Sequence, residues 1–215
     1  MSRAPVDFRF YLVTDRTQCA PRTLASVVHD ACATGVRAVQ LREKDLSETD
    51  LVSAATRLSG LLRPRGAKLF VNASPFVDRD TAALLAASPG VDGFHIPDDP
   101  ALLVEFREQF PRLLIGASTH SVAGVRTAFD SGADFVTIAP VYETRGKARP
   151  LGIDVLREAC EAAAGPVFAL GGVTPERARE CLDAGAFGVA VVSAVMAASS
   201  PRSAVRAFAE SMGSL

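Results

Sequence analysis

The sequence has few features that would tie it to a membrane, a polyanion or a metal. No apolar run approaches the roughly 18 residues of a bilayer span, and Met1 to Asp7 lack the basic and apolar regions of a signal peptide. A soluble cytoplasmic protein is the expectation. An excess of one charge is missing too: 23 basic and 24 acidic residues are interspersed and leave a formal net charge of −1. Without a basic stripe or acidic tail there is no electrostatic case for nucleic acid or an anionic membrane, and the expected partner is a small molecule. A homo-oligomer stays open. The four cysteines, Cys19, Cys32, Cys160 and Cys181, show neither CxxC nor metal-ligand spacing, and most sit in alanine-rich helical patterns. They read as buried reduced thiols. No linker or low-complexity stretch interrupts the chain, whose 48% hydrophobic and 22% charged content is that of one globular core, so residues 1–215 read as one domain.

What is present is a regular alternation. Short apolar or β-branched runs recur at 10–14, 38–41, 68–72, 93–96, 113–117, 135–138, 167–170 and 188–192, each followed by a helical pattern. Helix starts are marked by Pro21 before Thr23-Leu24, by Ser47-Glu48, by Thr174-Pro175-Glu176 and by Ser200-Pro201. Helices end at small or glycine turns such as Thr34-Gly35, 131–134 and 184–186. About eight strand–helix units in this length fit a single (β/α)8 TIM barrel better than an open doubly wound sheet, which usually has fewer units and a stronger dinucleotide fingerprint.

In such a barrel the strand endings gather at one rim, and the polar ones carry the chemistry. Gln40, Arg42 and Lys44 alternate, so strand geometry sends all three to one side, while Leu41 and Glu43 face the other. Three convergent polar groups suit an anion or a heterocycle with acceptors. Asn72, ending the third strand, faces the same mouth. In the last two units Gly171-Gly172 and the segment 188–193 end apolar runs in small residues beside helix starts, where free N–H groups favour an anion. Phosphate binding is the reading for that pair. The irregular stretch 142–152, YETRGKARPLG, follows the sixth strand at the same rim and reads as a solvated loop or a lid over the ligand. Of the three histidines, His29 reads as packing or solvated, and His95 as a core residue or a support behind the site. His120, just past the fifth strand, is placed for proton transfer near neutral pH.

The pieces Tyr11-Leu12-Val13-Thr14-Asp15, QLREK at 40–44, Phe70-Val71-Asn72, GASTH at 116–120, Gly132-Ala133-Asp134, the segment 169–173 and AGAFGVAVVSAV at 184–195 occur in one order. As a set they resemble the thiamin phosphate synthases and their paralogues, the TenI-type thiazole tautomerases. The resemblance implies a (β/α)8 barrel of thiamin biosynthesis acting on a small phosphorylated thiazole. It places Gln40, Arg42, Lys44 and Asn72 on the pyrimidine diphosphate side of a synthase, Ser118 and Lys147 near the diphosphate, and Gly172, Val192 and Ser193 on the thiazole phosphate.

Departures from the synthase pattern decide the expectation. Synthases resemble one another in an Asn-Asp pair ending the third strand and a His-x-Gly-Gln-x-Asp pattern after the fourth, the two aspartates holding magnesium. Here Ala73 and Pro100 stand at those positions, although Asp98 and Asp99 lie close enough in sequence to form a shifted site. The loop pattern Thr-x-Thr-Lys becomes Thr144-Arg145-Gly146-Lys147, keeping Thr144 and Lys147 as substrate contacts. These losses point to a metal-independent TenI-like tautomerase, an isomerase with His120 moving the proton on a carboxythiazole phosphate and no cofactor. The alternatives are thiamin phosphate synthase, a magnesium-dependent transferase, and a catalytically silent barrel that binds a phosphate ligand.

Overall fold

The computed structural model describes residues 5–73, 79–144 and 149–213. Its strands are β1 (Phe10–Val13), β2 (Ala38–Leu41), β3 (Lys68–Asn72), β4 (Gly93–Ile96), β5 (Leu114–Thr119), β6 (Phe135–Ile138), β7 (Val167–Leu170) and β8 (Gly188–Val191). All neighbours pair in parallel. β8 also pairs with β1, with Tyr11 opposite Ala190, which closes the barrel and excludes the open sheet. The intervening helices are α1 (Leu24–Cys32), α2 (Glu48–Leu62), α3 (Arg79–Ala87), α4 (Pro100–Gln109), α5 (Val122–Asp130), α6 (Ile153–Ala162), α7 (Pro175–Asp183), α8 (Ser193–Met196) and α9 (Pro201–Met212). No described helix is long and apolar enough to cross a membrane.

Local chemistry starts these helices. Thr23, Ser47 and Ser200 accept from the amides of Ser26, Asp50 and Ser203, each satisfying a donor that the first turn leaves without an intrahelical partner. Asp99 and Ser121 do the same for α4 and α5. Thr174 makes no such side-chain bond, and α7 starts on the fixed φ of Pro175.

Strand alternation splits the core in two. One set of side chains, including Leu12, Val39, Leu69 and Phe94, packs under the helices; the other, Tyr11, Val13, Ala38, Phe70, Leu114, Phe135, Phe168 and Ala190, fills the barrel with Phe8. Phe8 precedes β1 and plugs the N-terminal end. Its ring centroid lies 5.4–5.6 Å from those of Tyr11, Phe70, Phe135 and Phe168. Burying each such side chain is worth about 1.5–3 kcal/mol. Gly116 makes room at the next level up: a Cβ there would lie 2.4 Å from Phe135 Cζ and 2.7 Å from His95 Nδ1.

At the same end Arg107 ties α4 to the strands, donating to the carbonyls of Gly132 (2.9 Å) and Leu113 (3.0 Å) and to Asp134 Oδ2 (2.6 Å). Asp134 also accepts from Ile115 N at 2.7 Å. The cysteines are free thiols, three of them buried and Cys160 half-buried. Burial raises Cys32 to about 12 and Cys160 and Cys181 to about 11, so none is a ready thiolate.

Candidate active site

Above the aromatic plug the inward positions turn polar. Gln40, Asn72, His95, Ser118 and Thr137 come from β2 to β6, so one half of the ring supplies a polar wall at the C-terminal mouth. Gln40 is 2% exposed, and its Nε2 donates to Tyr11 Oη at 3.2 Å. Asn72 Nδ2 donates to the carbonyl of His95 at 3.1 Å. Ser118 Oγ lies 3.1 Å from His95 Nε2. His95 is the centre of this wall rather than a packing residue, since Tyr11 Oη lies 3.5 Å from Nδ1 and Thr137 Oγ1 lies 3.4 Å from Nε2. Burial, with a smaller repulsion from Arg42, lowers its pKa to about 3 and keeps the ring neutral.

β2 ends at Leu41, so Arg42 and Lys44 lie in the loop beyond it. Arg42 is half-buried and its amide donates to Thr14 Oγ1 at 3.0 Å. Burial lowers the guanidinium pKa, against Asp15 and Glu43, which raise it. Glu43, in the same loop, is buried. It accepts from Thr14 Oγ1 at 2.6 Å and from Arg16 N at 3.0 Å, locking the loop after β1 to the loop after β2. Lys44 is exposed. Sequence reasoning does not find this Thr14–Arg16–Glu43 lock, because its partners lie 27–29 residues apart.

On the opposite arc, Gly171 and Gly172 have φ of +93° and +66°. A Cβ at Gly172 would lie 2.7 Å from the Glu143 carbonyl oxygen and 2.8 Å from Tyr142 Cβ. The glycines therefore fit the turn after β7 against the loop after β6 and are needed for packing whatever they bind. Arg177 of α7 braces that contact, donating to the Gly172 carbonyl at 2.9 Å and lying 4.6 Å from the centroid of the Tyr142 ring. In the next unit Val192 caps α8 and its carbonyl accepts from Val195 and Met196. The first amides of that turn, beginning with exposed Ser193, have no intrahelical partner.

The remaining candidates are less central. His120 is exposed, and its Nδ1 lies 2.6 Å from the carbonyl oxygen of Ala139, so that ring nitrogen donates to the loop after β6. His120 follows Thr119 directly, at the mouth end of β5. Thr144 donates to the Tyr142 carbonyl at 3.1 Å. Lys147 and the middle of the loop read as a lid lie outside the described residues. For magnesium the donor set does not fit: Ala73 is buried, Pro100 begins α4, and Asp99 Oδ1 is engaged by Leu102 N at 3.0 Å. Among the described residues no group of three or more His, Cys, Asp or Glu side chains could hold a metal ion.

The chain is similar to several proteins of thiamine phosphate synthesis. A thiamine-phosphate synthase of Natronomonas pharaonis is 36% identical over 96% of this chain and 95% of its own. A Geobacter sulfurreducens relative, 43% identical over 95% of this chain and 94% of its own, bears that synthase name provisionally. The solved thiamine phosphate pyrophosphorylase of Pyrococcus furiosus superposes with a TM-score of 0.83 at 30% identity, covering 96% of each chain. These relatives overturn the expectation of a thiazole tautomerase, and of an isomerase, in favour of the transferase alternative. The tautomerase expectation leaned on His120 and on two missing carboxylates, and the relatives carry the synthase name instead. A model of the thiamine monophosphate synthase family matches residues 10–195, and by that match together with these relatives the chain belongs to that family.

Proposed function

We propose that the protein is a thiamine-phosphate synthase that joins a pyrimidine-methyl diphosphate to a thiazole phosphate at the C-terminal mouth. In this reaction the thiazole nitrogen forms a bond to the pyrimidine methylene carbon, the carbon–oxygen bond to the diphosphate breaks, and diphosphate leaves with the bonding electron pair. The observation that carries the reading is the polar wall from β2 to β6 facing the glycine turn of β7, in a chain 36% identical to a named synthase over 96% of its length. Gln40 and Asn72 offer a heterocycle polar partners, Arg42 and Lys44 supply positive charge for the diphosphate, and Ser118 supplies a hydroxyl donor. The turn at Gly172 and the amides at Val192-Ser193 face the thiazole phosphate. Holding both reactants in one mouth supplies the proximity and orientation that a two-substrate displacement needs.

No magnesium is held by this chain's own carboxylates in the reading proposed, because Ala73 and Pro100 offer none. Charge on the leaving group is met by Arg42, Lys44 and hydrogen-bond donors. The test is direct: purified protein is incubated with both substrates, and thiamine phosphate and diphosphate are quantified. Equimolar formation of the two is expected. Absence of both products, with or without magnesium, refutes the synthase reading. Phosphate-ligand binding without turnover would favour the silent barrel.

A further inference from the structure

Inside the mouth a chain of hydrogen bonds runs from an amide to a hydroxyl, and its direction is set by the end that can only donate. Gln40 Nε2 has no acceptor capacity and lies 3.2 Å from Tyr11 Oη. A phenol oxygen that receives this proton has its own O–H free to give, and burial keeps that phenol protonated. The ring nitrogen His95 Nδ1 lies 3.5 Å away. If Nδ1 accepts, a neutral imidazole carries its single proton on Nε2. That nitrogen is 3.1 Å from Ser118 Oγ and 3.4 Å from Thr137 Oγ1, so the serine is the nearer acceptor. Once its oxygen receives the Nε2 proton, the Ser118 hydroxyl has its own proton left to offer.

We propose that Tyr11 and His95 are positioning residues which fix the imidazole tautomer and so commit the Ser118 hydroxyl to donate toward a diphosphate oxygen. The proposal rests on the synthase reading for the identity of the anion, but the direction of the chain does not. A charged imidazole would donate from both nitrogens and lose the acceptor at Nδ1. The fully buried site keeps it neutral. Fixing a donor before the anion arrives avoids reorganisation when negative charge develops on the leaving group. Tyr11, at the inward position opposite Ala38 and Ala190, has small neighbours on both adjoining strands, which leaves its ring space to reach up to His95.

Two measurements test this separately from turnover. Nitrogen-15 spectra of the histidine-labelled protein should show His95 with an unprotonated Nδ1 and a protonated Nε2, and Tyr11→Phe should yield a mixture of tautomers. The opposite tautomer in the wild type overturns the proposal. Calorimetry with inorganic pyrophosphate should show affinity falling about tenfold in Ser118→Ala, the effect of losing a hydrogen bond to a charged group. A similar fall is expected in Tyr11→Phe, with no further loss in the double variant. Additive losses, or wild-type affinity in Tyr11→Phe, refute the coupling. His95→Gln, whose amide can donate from near the Nε2 position, should keep more affinity than His95→Leu. If the tautomer and the pyrophosphate coupling are found but no thiamine phosphate forms, the synthase reading fails and the relay stands.

Discussion

Acidification should weaken this barrel through His95 in a predictable interval. In the folded protein burial lowers its pKa to about 3, whereas an unfolded histidine titrates near 6.5. Between those values the unfolded chain binds a proton at this residue that the folded chain does not. Stability therefore rises with pH across the interval, is fully present above about pH 6.5, and is lost as the pH falls below it. The slope is about 1.4 kcal/mol per pH unit for one proton, so going from pH 7 to pH 5 should remove about 2 kcal/mol. Against a typical domain stability of about 5–15 kcal/mol, that is a large fraction.

The perturbation that isolates this contribution is His95→Gln. Every other ionisable group is common to both proteins and cancels in the comparison, and the pH-independent cost of the substitution drops out as well. Urea unfolding at pH 7 and pH 5 gives the four stabilities. The variant should lose about 2 kcal/mol less than the wild type over that interval. Equal losses, within about 0.5 kcal/mol, would mean that His95 titrates nearly as a free residue, and would refute both the buried neutral imidazole and the argument built on it.

Gly172→Ala should cost about 2 kcal/mol in thermal or urea unfolding, because the residue has φ of +66° and its Cβ would meet the Glu143 carbonyl; unchanged stability would refute the packing role. Asp134→Ala should cost about 3 kcal/mol or more, since it removes the carboxylate that balances the Arg107 charge and accepts from the Ile115 amide in a largely buried setting. A loss below 1 kcal/mol in denaturant titrations would show the pair to be screened like a surface one. Magnesium titrated into the protein alone should give no saturable heat, and a tight site seen by calorimetry would reinstate ligands such as Asp98.

Much of this fold is legible in the alternation of the chain. Most of the strands fall within the expected runs because apolar segments there are ended by glycine turns or helix caps. β5 departs from this: it runs on through Ser118 and Thr119, whose polarity suggests a loop. Both are mouth residues of a strand, where polar side chains face the site or bond neighbouring backbone, as Thr119 does to the Thr137 carbonyl at 3.0 Å. The roles of Tyr11, His95 and Thr137 are less legible, since each sits inside an apolar run and only closure of the ring brings them together from β1, β4 and β6. Glu43 shows the converse. The strand ends at Leu41, two residues before it, and nothing local reveals that Thr14 and the Arg16 amide wait there to receive it.

Two missing carboxylates remove one way of holding a cation, but they do not change which bond the remaining residues are arranged to break. On the synthase reading proposed, Gln40, Arg42, Asn72 and Ser118 are the partners for a heterocycle and an anion, and cationic side chains with hydroxyl donors also stabilise a departing phosphate group. A tautomerisation instead needs one acid–base group beside the substrate carbon. The residue expected to fill that role, His120, is exposed and donates Nδ1–H to the Ala139 carbonyl, a bond that orients the ring and leaves Nε2 as its second nitrogen, so the relatives and not this geometry decide against the tautomerase. The buried histidine of the wall has its pKa lowered to about 3, which makes it a poor base near neutral pH and suits it to holding a neighbour's hydroxyl in place.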